Sequence, residues 1–94
     1  MMRSLTFGDF AGRLGKAYDI LVGGGRLPVV LDEMQQLPGS PREGGGFRLV
    51  FRGPYQPIIP QGVYPFQQGS ETHEIFVVPI AQTPAGVQYE AIFM

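Results

Sequence analysis

Glycine and proline interrupt this chain about every ten residues, with fourteen glycines and nine prolines in 94 positions. An isolated helix shorter than about 12 residues is marginal, and interior glycine or proline weakens it further. Strands of about five or six residues joined by tight turns tolerate such punctuation well. The pattern therefore predicts a mainly β domain. At 94 residues it is one unit, able to bury about two-thirds of its unfolded surface around a single modest core. A 44% hydrophobic content with 12% aromatics suits such a core, while 16% charge is low for a surface of this size.

Along the chain, LTFGDFAGRLG (5–15) carries the one helix signal. Thr6 and Asp9 resemble a capping box, and Phe7, Phe10, Ala11 and Leu14 form an apolar stripe. Gly8 and Gly12 limit it to about two turns, and Gly15 stops it. AYDILV (17–22) and RLPVVLDEMQQL (26–37) read as a hairpin about the glycines at 23–25, with Pro28 marking an edge or a bulge. PGSPREGGG (38–46) reads as a mobile loop. FRLVFRG (47–53) is a clear strand with Phe47, Leu49 and Phe51 on one face and Arg48, Val50 and Arg52 on the other. PYQPIIPQ (54–61) reads as extended, GVYPFQQ (62–68) as an edge strand interrupted by Pro65. HEIFVVPIA (73–81) is apolar on both faces, and VQYEAIFM (87–94) alternates again. Five or six short strands plus one N-terminal helix predict an antiparallel barrel-like sheet or small sandwich, with the helix plugging or flanking it. The expected core is Phe7, Phe10, Leu14, Leu49, Phe51, Phe76, Val78, Tyr89 and Phe93.

Net charge is −1, which gives no general attraction to nucleic acid or anionic membranes. The charge is unevenly placed. All seven basic residues precede Gly53, where five acids leave a net +2; beyond it stand only Glu71, Glu74 and Glu90. Cross-strand pairing within one sheet or contact between subunits would each use that asymmetry. No apolar run approaches the ~18 residues of a membrane span, and the opening residues lack a secretory leader's apolar stretch. The expected address is the cytoplasm, or an assembly built there.

Chemistry-bearing constellations are sparse. With no cysteine there is no thiolate and no disulfide. SETHE (70–74) gathers Ser70, Glu71, Glu74 and the one histidine, His73. On a strand His73 and Glu74 point to opposite faces, so they do not make a nucleophile–base–acid array; the stretch reads as the polar lip of a strand. One histidine and scattered carboxylates do not make a metal site, and Asp32 and Glu33 diverge on their strand. VGGGR and EGGGF lack the strand-to-helix setting of a phosphate cradle. No catalytic residue, metal or cofactor is expected.

What remains is surface. Tyr55, Pro57, Ile58 and Ile59 form an apolar stretch outside any strand, suited to covering an open barrel end or meeting a partner. Arg48 and Arg52 share one strand face, where they pair with carboxylates such as Glu74 and Glu90 or serve recognition. These six residues are the candidate interaction surface. The leading expectation is a non-enzymatic structural or protein-interaction module that binds a protein partner or itself. One alternative is a ligand-binding or catalytic barrel interior with His73, Tyr64 and Tyr89 as its polar groups. Another is a nucleic-acid-binding sheet through Arg48 and Arg52.

FRLVFRGP (47–54), IPQGVY (59–64), FVVPI (76–80) and YEAIF (89–93), with LTFGDF (5–10) and GKAY (15–18), resemble a small bacterial single-domain family of unknown function. Its members are often encoded near phage-tail-collar-like proteins. The resemblance implies an accessory role in a phage-tail-like assembly and supplies no catalytic residue.

Overall fold

A computed structural model describes residues 5–41 and 45–94. Six antiparallel strands follow one short helix, α1 (Phe7–Phe10): β1 (Ala17–Val22), β2 (Gly25–Leu37), β3 (Gly46–Gly53), β4 (Gly62–Gln68), β5 (Glu71–Thr83) and β6 (Gly86–Phe93). They close into a barrel in the order β1-β2-β3-β6-β5-β4. The barrel form of the expected fold is therefore the observed one, with six strands.

Two 13-residue strands make its corners. The first half of β2 pairs with β1 and the second half with β3; Asp32 is the extra residue of a bulge at the handover. In the same way β5 pairs with β4 as far as Val77 and with β6 from Val78, with a bulge at Ile80. A bulge bends and twists its strand, which lets one strand serve two sheets and the barrel close. The seam between β1 and β4 is short, Asp19 with Gln67 and Ile20 with Phe66. One step further the same register would bring Leu21 to Pro65, which has no N–H to give. Pro65 thus sits where its strand loses one neighbour. Pro28 lies where β2 is paired to β1 alone, four positions before the bulge.

The interior is filled by side chains. Phe51 lies 5.5 Å from Tyr18 and 4.7 Å from Phe66, centroid to centroid, and Phe47 stacks on Phe93 at 4.3 Å. Tyr89, Leu31, Leu49, Ile20, Val29, Ile75 and Val77 complete it.

Both ends are plugged. Asp9 accepts the Thr6 backbone N–H at 2.7 Å, closing α1 on itself. That turn drives Phe10 into one barrel mouth, among Phe47, Tyr18, His73 and Phe93. The expected two-turn helix is one turn. Ala11 is already extended and Gly12 takes φ +79°, so the apolar stripe ends before Leu14, which is exposed rather than in the core. The other mouth is crossed by residues 54–61, the connection from β3 to β4, with Ile59 buried beneath it.

Two further core expectations fall to the register of β5. Ile75 and Val77 face the interior because Tyr64 and Gly62 oppose them on β4. Phe76 and Val78 therefore point outward, with Phe76 half-exposed. Of the expected mobile loop 38–46, residues 42–44 lie outside the described residues, Pro38 and Gly39 form a turn, and Gly46 already belongs to β3.

Candidate functional site

The segment 54–61 is a strap held from three strands. Tyr89, buried on β6, accepts the Ile59 N–H on its hydroxyl at 3.1 Å. Tyr64 on β4 donates its hydroxyl to the Pro60 carbonyl at 2.6 Å. Gln82 on β5 donates its side-chain amide to the Tyr55 carbonyl at 3.0 Å. Prolines at 54, 57 and 60 restrict φ between these anchors, and the Gln56–Pro57 peptide bond is cis. A strap so held presents fixed side chains: Ile59 points in, while Tyr55 and Ile58 stand 51% and 46% exposed. Of the four strap residues expected at the surface, Ile59 is thus the one buried. Beside the strap an open, mainly apolar recess of about 220 Å³ is lined by Val22, Gly25, Arg26, Leu27, Pro57 and Ile59.

Arg48 and Arg52 lie elsewhere, on the outer face of β3. Arg48 pairs with Glu90 as expected, but Arg52 pairs with Asp32, its Nε 2.9 Å from the carboxylate, and not with Glu74. The bulge in β2 supplies that carboxylate, so Asp32 and Glu33 are both exposed rather than diverging across the sheet. Val50, on the same outward face, is fully buried. Arg48 and Arg52 flank it along β3, and Glu33 and Glu90 oppose it on the neighbouring strands.

The polar groups considered for a barrel-interior site do not converge. Tyr89 and Tyr64 are engaged by the strap, and His73 packs at the opposite mouth, its ring 6.2 Å from that of Phe10. His73 faces the same side as Ile75, while Glu74 is exposed, which makes SETHE the polar start of a strand. At that mouth Arg13 donates to Glu71 at 2.8 Å and to the Gln68 side chain. The bond to Glu71 raises the Arg13 pKa. Burial pushes the Tyr18 phenol above its ordinary value, against the opposing pull of Arg13. Among the described residues no group of three or more histidines and carboxylates is placed to hold a metal ion. Among the described residues no helix is long and apolar enough to cross a membrane.

The features missed in the sequence lie on the outer wall: Val63, Phe76 and Ile92 are exposed on three adjacent strands. Apolar runs on both faces of β5 were the available signal, and they do not say which face is outside.

Searches of curated proteins and of solved structures found no match. A model of a domain of unknown function, DUF6916, matches residues 5–93. That span takes in both plugs and all six strands, and the chain accordingly belongs to this domain family.

Proposed function

We propose that this domain is a non-enzymatic protein-interaction module whose contact element is the strap, acting through Tyr55, Pro57 and Ile58. The observation that carries the reading is the triple anchoring of a segment that leaves two large apolar side chains in water. Rigid apolar groups bind at low entropic cost, because little freedom is lost on contact. The neighbouring recess between Leu27 and Pro57 suits an apolar side chain of the partner. Arg48 and Arg52, already paired, add solubility and register rather than affinity in this reading.

The resemblance noted in the sequence extends the proposal to an accessory component of a bacterial, phage-tail-like assembly built in the cytoplasm. The test is photo-crosslinking from position 55 or 58 in cells that express the protein, with Gln35 on the far wall as the control position. A discrete adduct at 55 and 58 that is missing at 35 supports the reading. Equal labelling at all three positions, or none at any, overturns it.

A further inference from the structure

Little backbone closes the barrel between β1 and β4. These strands are in register over two residue pairs, Asp19 with Gln67 and Ile20 with Phe66. Every other pair of neighbouring strands is in register over at least five. Pro65, next along β4, has no N–H with which to extend the ladder.

Side chains of β4 reinforce this seam. Gln67 accepts a hydrogen bond from Arg26 of β2, whose guanidinium also lies 3.5 Å from the Asp19 carboxylate on β1. Arg26 thus reaches over β1 to β4. Gln68 donates its side-chain amide to the Ala17 carbonyl, at the start of β1, at 3.0 Å. Its side-chain oxygen accepts from Arg13, which also donates to Glu71 on β5 at 2.8 Å. One glutamine therefore joins the N-terminal plug, β1 and β4.

These bonds link two bodies. The plug segment belongs with β1 and β2. The Gly15 N–H donates to the Leu31 carbonyl at 2.7 Å, and the Leu31 N–H donates to the Lys16 carbonyl at 3.0 Å, which carries the β1–β2 pairing on past Ala17. β4 belongs with β5, in register from Gly62 to Gln68. Across the gap, Tyr18 packs on Phe66 and Phe10 on His73. The bulge at Asp32, where β2 passes from β1 to β3, supplies a bend about which the first half of β2 can turn.

We infer that the barrel opens at the β1–β4 seam in a step separate from unfolding, and that Gln67 and Gln68 are its latches. The β1–β2 hairpin swings away from β4 with the plug segment, breaking the bonds to Arg26, Ala17 and Arg13 together. Local openings of this kind draw on the least-bonded part of a fold. The step bares Tyr18, Ile20 and Phe66, while β3 and β6 stay paired. Arg13 makes the latch answer to the N-terminal segment, since it holds Gln68 and Glu71 at once.

Native-state amide exchange on the full chain, followed by NMR in urea below the unfolding transition, tests this. Amides of β1 and β4 should exchange with a weaker urea dependence than those of β3 and β6, because the seam exposes less surface than unfolding does. Gln68→Ala should speed exchange in β1 and β4 about threefold or more, the net worth of a hydrogen bond or two. Val50→Ala, on a strand that stays paired, should speed β3 and β6 yet leave β1 and β4 within about twofold of the wild type. A shared urea dependence in all strands, or equal acceleration of all strands by Val50→Ala, overturns the inference. Asp19→Cys with Gln67→Cys supplies an independent arm, in a chain with no other cysteine. Its oxidation should slow exchange in β1 and β4 about tenfold or more relative to the reduced form. Exchange there that is indifferent to the bridge would show that the seam does not open.

Discussion

Tyr89 reaches from the interior of β6 to accept the backbone N–H of Ile59 at 3.1 Å, which ties the strap to the core of the barrel. Both residues are buried. A buried donor that loses its acceptor costs about 1–3 kcal/mol. Tyr89→Phe should therefore destabilise the domain by about that amount while the barrel stays folded. The local readout is amide exchange: Ile59 should lose protection well before the amides of β3. Unchanged protection at Ile59 would mean that the tyrosine does not hold the strap.

Phe10 and Leu14 were expected on one helix stripe, and they now make opposite predictions. Phe10 fills a barrel mouth lined by four rings, so Phe10→Ala should cost about 3–5 kcal/mol in urea unfolding. Leu14 is exposed beyond the end of α1, so Leu14→Ala should stay within about 0.5 kcal/mol of the wild type. Equal effects at the two positions would contradict a one-turn plug.

Gly86 turns the chain between β5 and β6 at φ +135°, hard against β3. A Cβ there would sit 2.1 Å from the Gly53 carbonyl oxygen. Backbone cannot yield as a flexible side chain can. Gly86→Ala should lose more than about 4 kcal/mol, in the range reserved for severe lesions, and its yield of folded protein should fall sharply. A variant with unchanged thermal midpoint would show that β3 and β6 can move apart at this end.

Tyr18 sets an alkaline limit. Its phenol is raised above the ordinary pKa of about 10, chiefly by burial, so the unfolded chain ionises first as pH rises. The stability linked to a neutral buried phenol is complete below the unfolded pKa and is lost as pH climbs toward the folded one. Urea midpoints should thus fall above about pH 10, and Tyr18→Phe should flatten that part of the decline. Absorbance at 295 nm should show a late phase of tyrosine ionisation that Tyr18→Phe removes. A titration curve that Tyr18→Phe leaves without loss of its late phase would remove the premise.

Much of the fold was legible in local chemistry. Gly and Pro punctuation marked β1 and β4 at their observed bounds, and β3 and β6 within one residue. Those strands have one clearly apolar face, or breakers at both ends, and the chain declares such properties residue by residue. The Thr6–Asp9 box was visible because capping is local too. The strap was legible as a candidate surface from its prolines and apolar side chains. Its anchors were not, since Tyr89 and Gln82 come from 30 and 27 residues away.

The sequence by itself determined the class of the domain, a count of five or six strands and the exclusion of thiolate chemistry. Tertiary structure alone decided which face of β5 became wall and which became core. Phe76 and Val78 are as apolar as Ile75 and Val77, so alternation carries no preference between the two pairs. The choice came from pairing Ile75 with Tyr64 and Val77 with Gly62 across β4, and a register shifted by one residue would have reversed it. The bulges at Asp32 and Ile80 are of the same kind. Each answers the need of one strand to serve two neighbours in a closed ring, a constraint on the whole barrel that no short stretch of residues expresses.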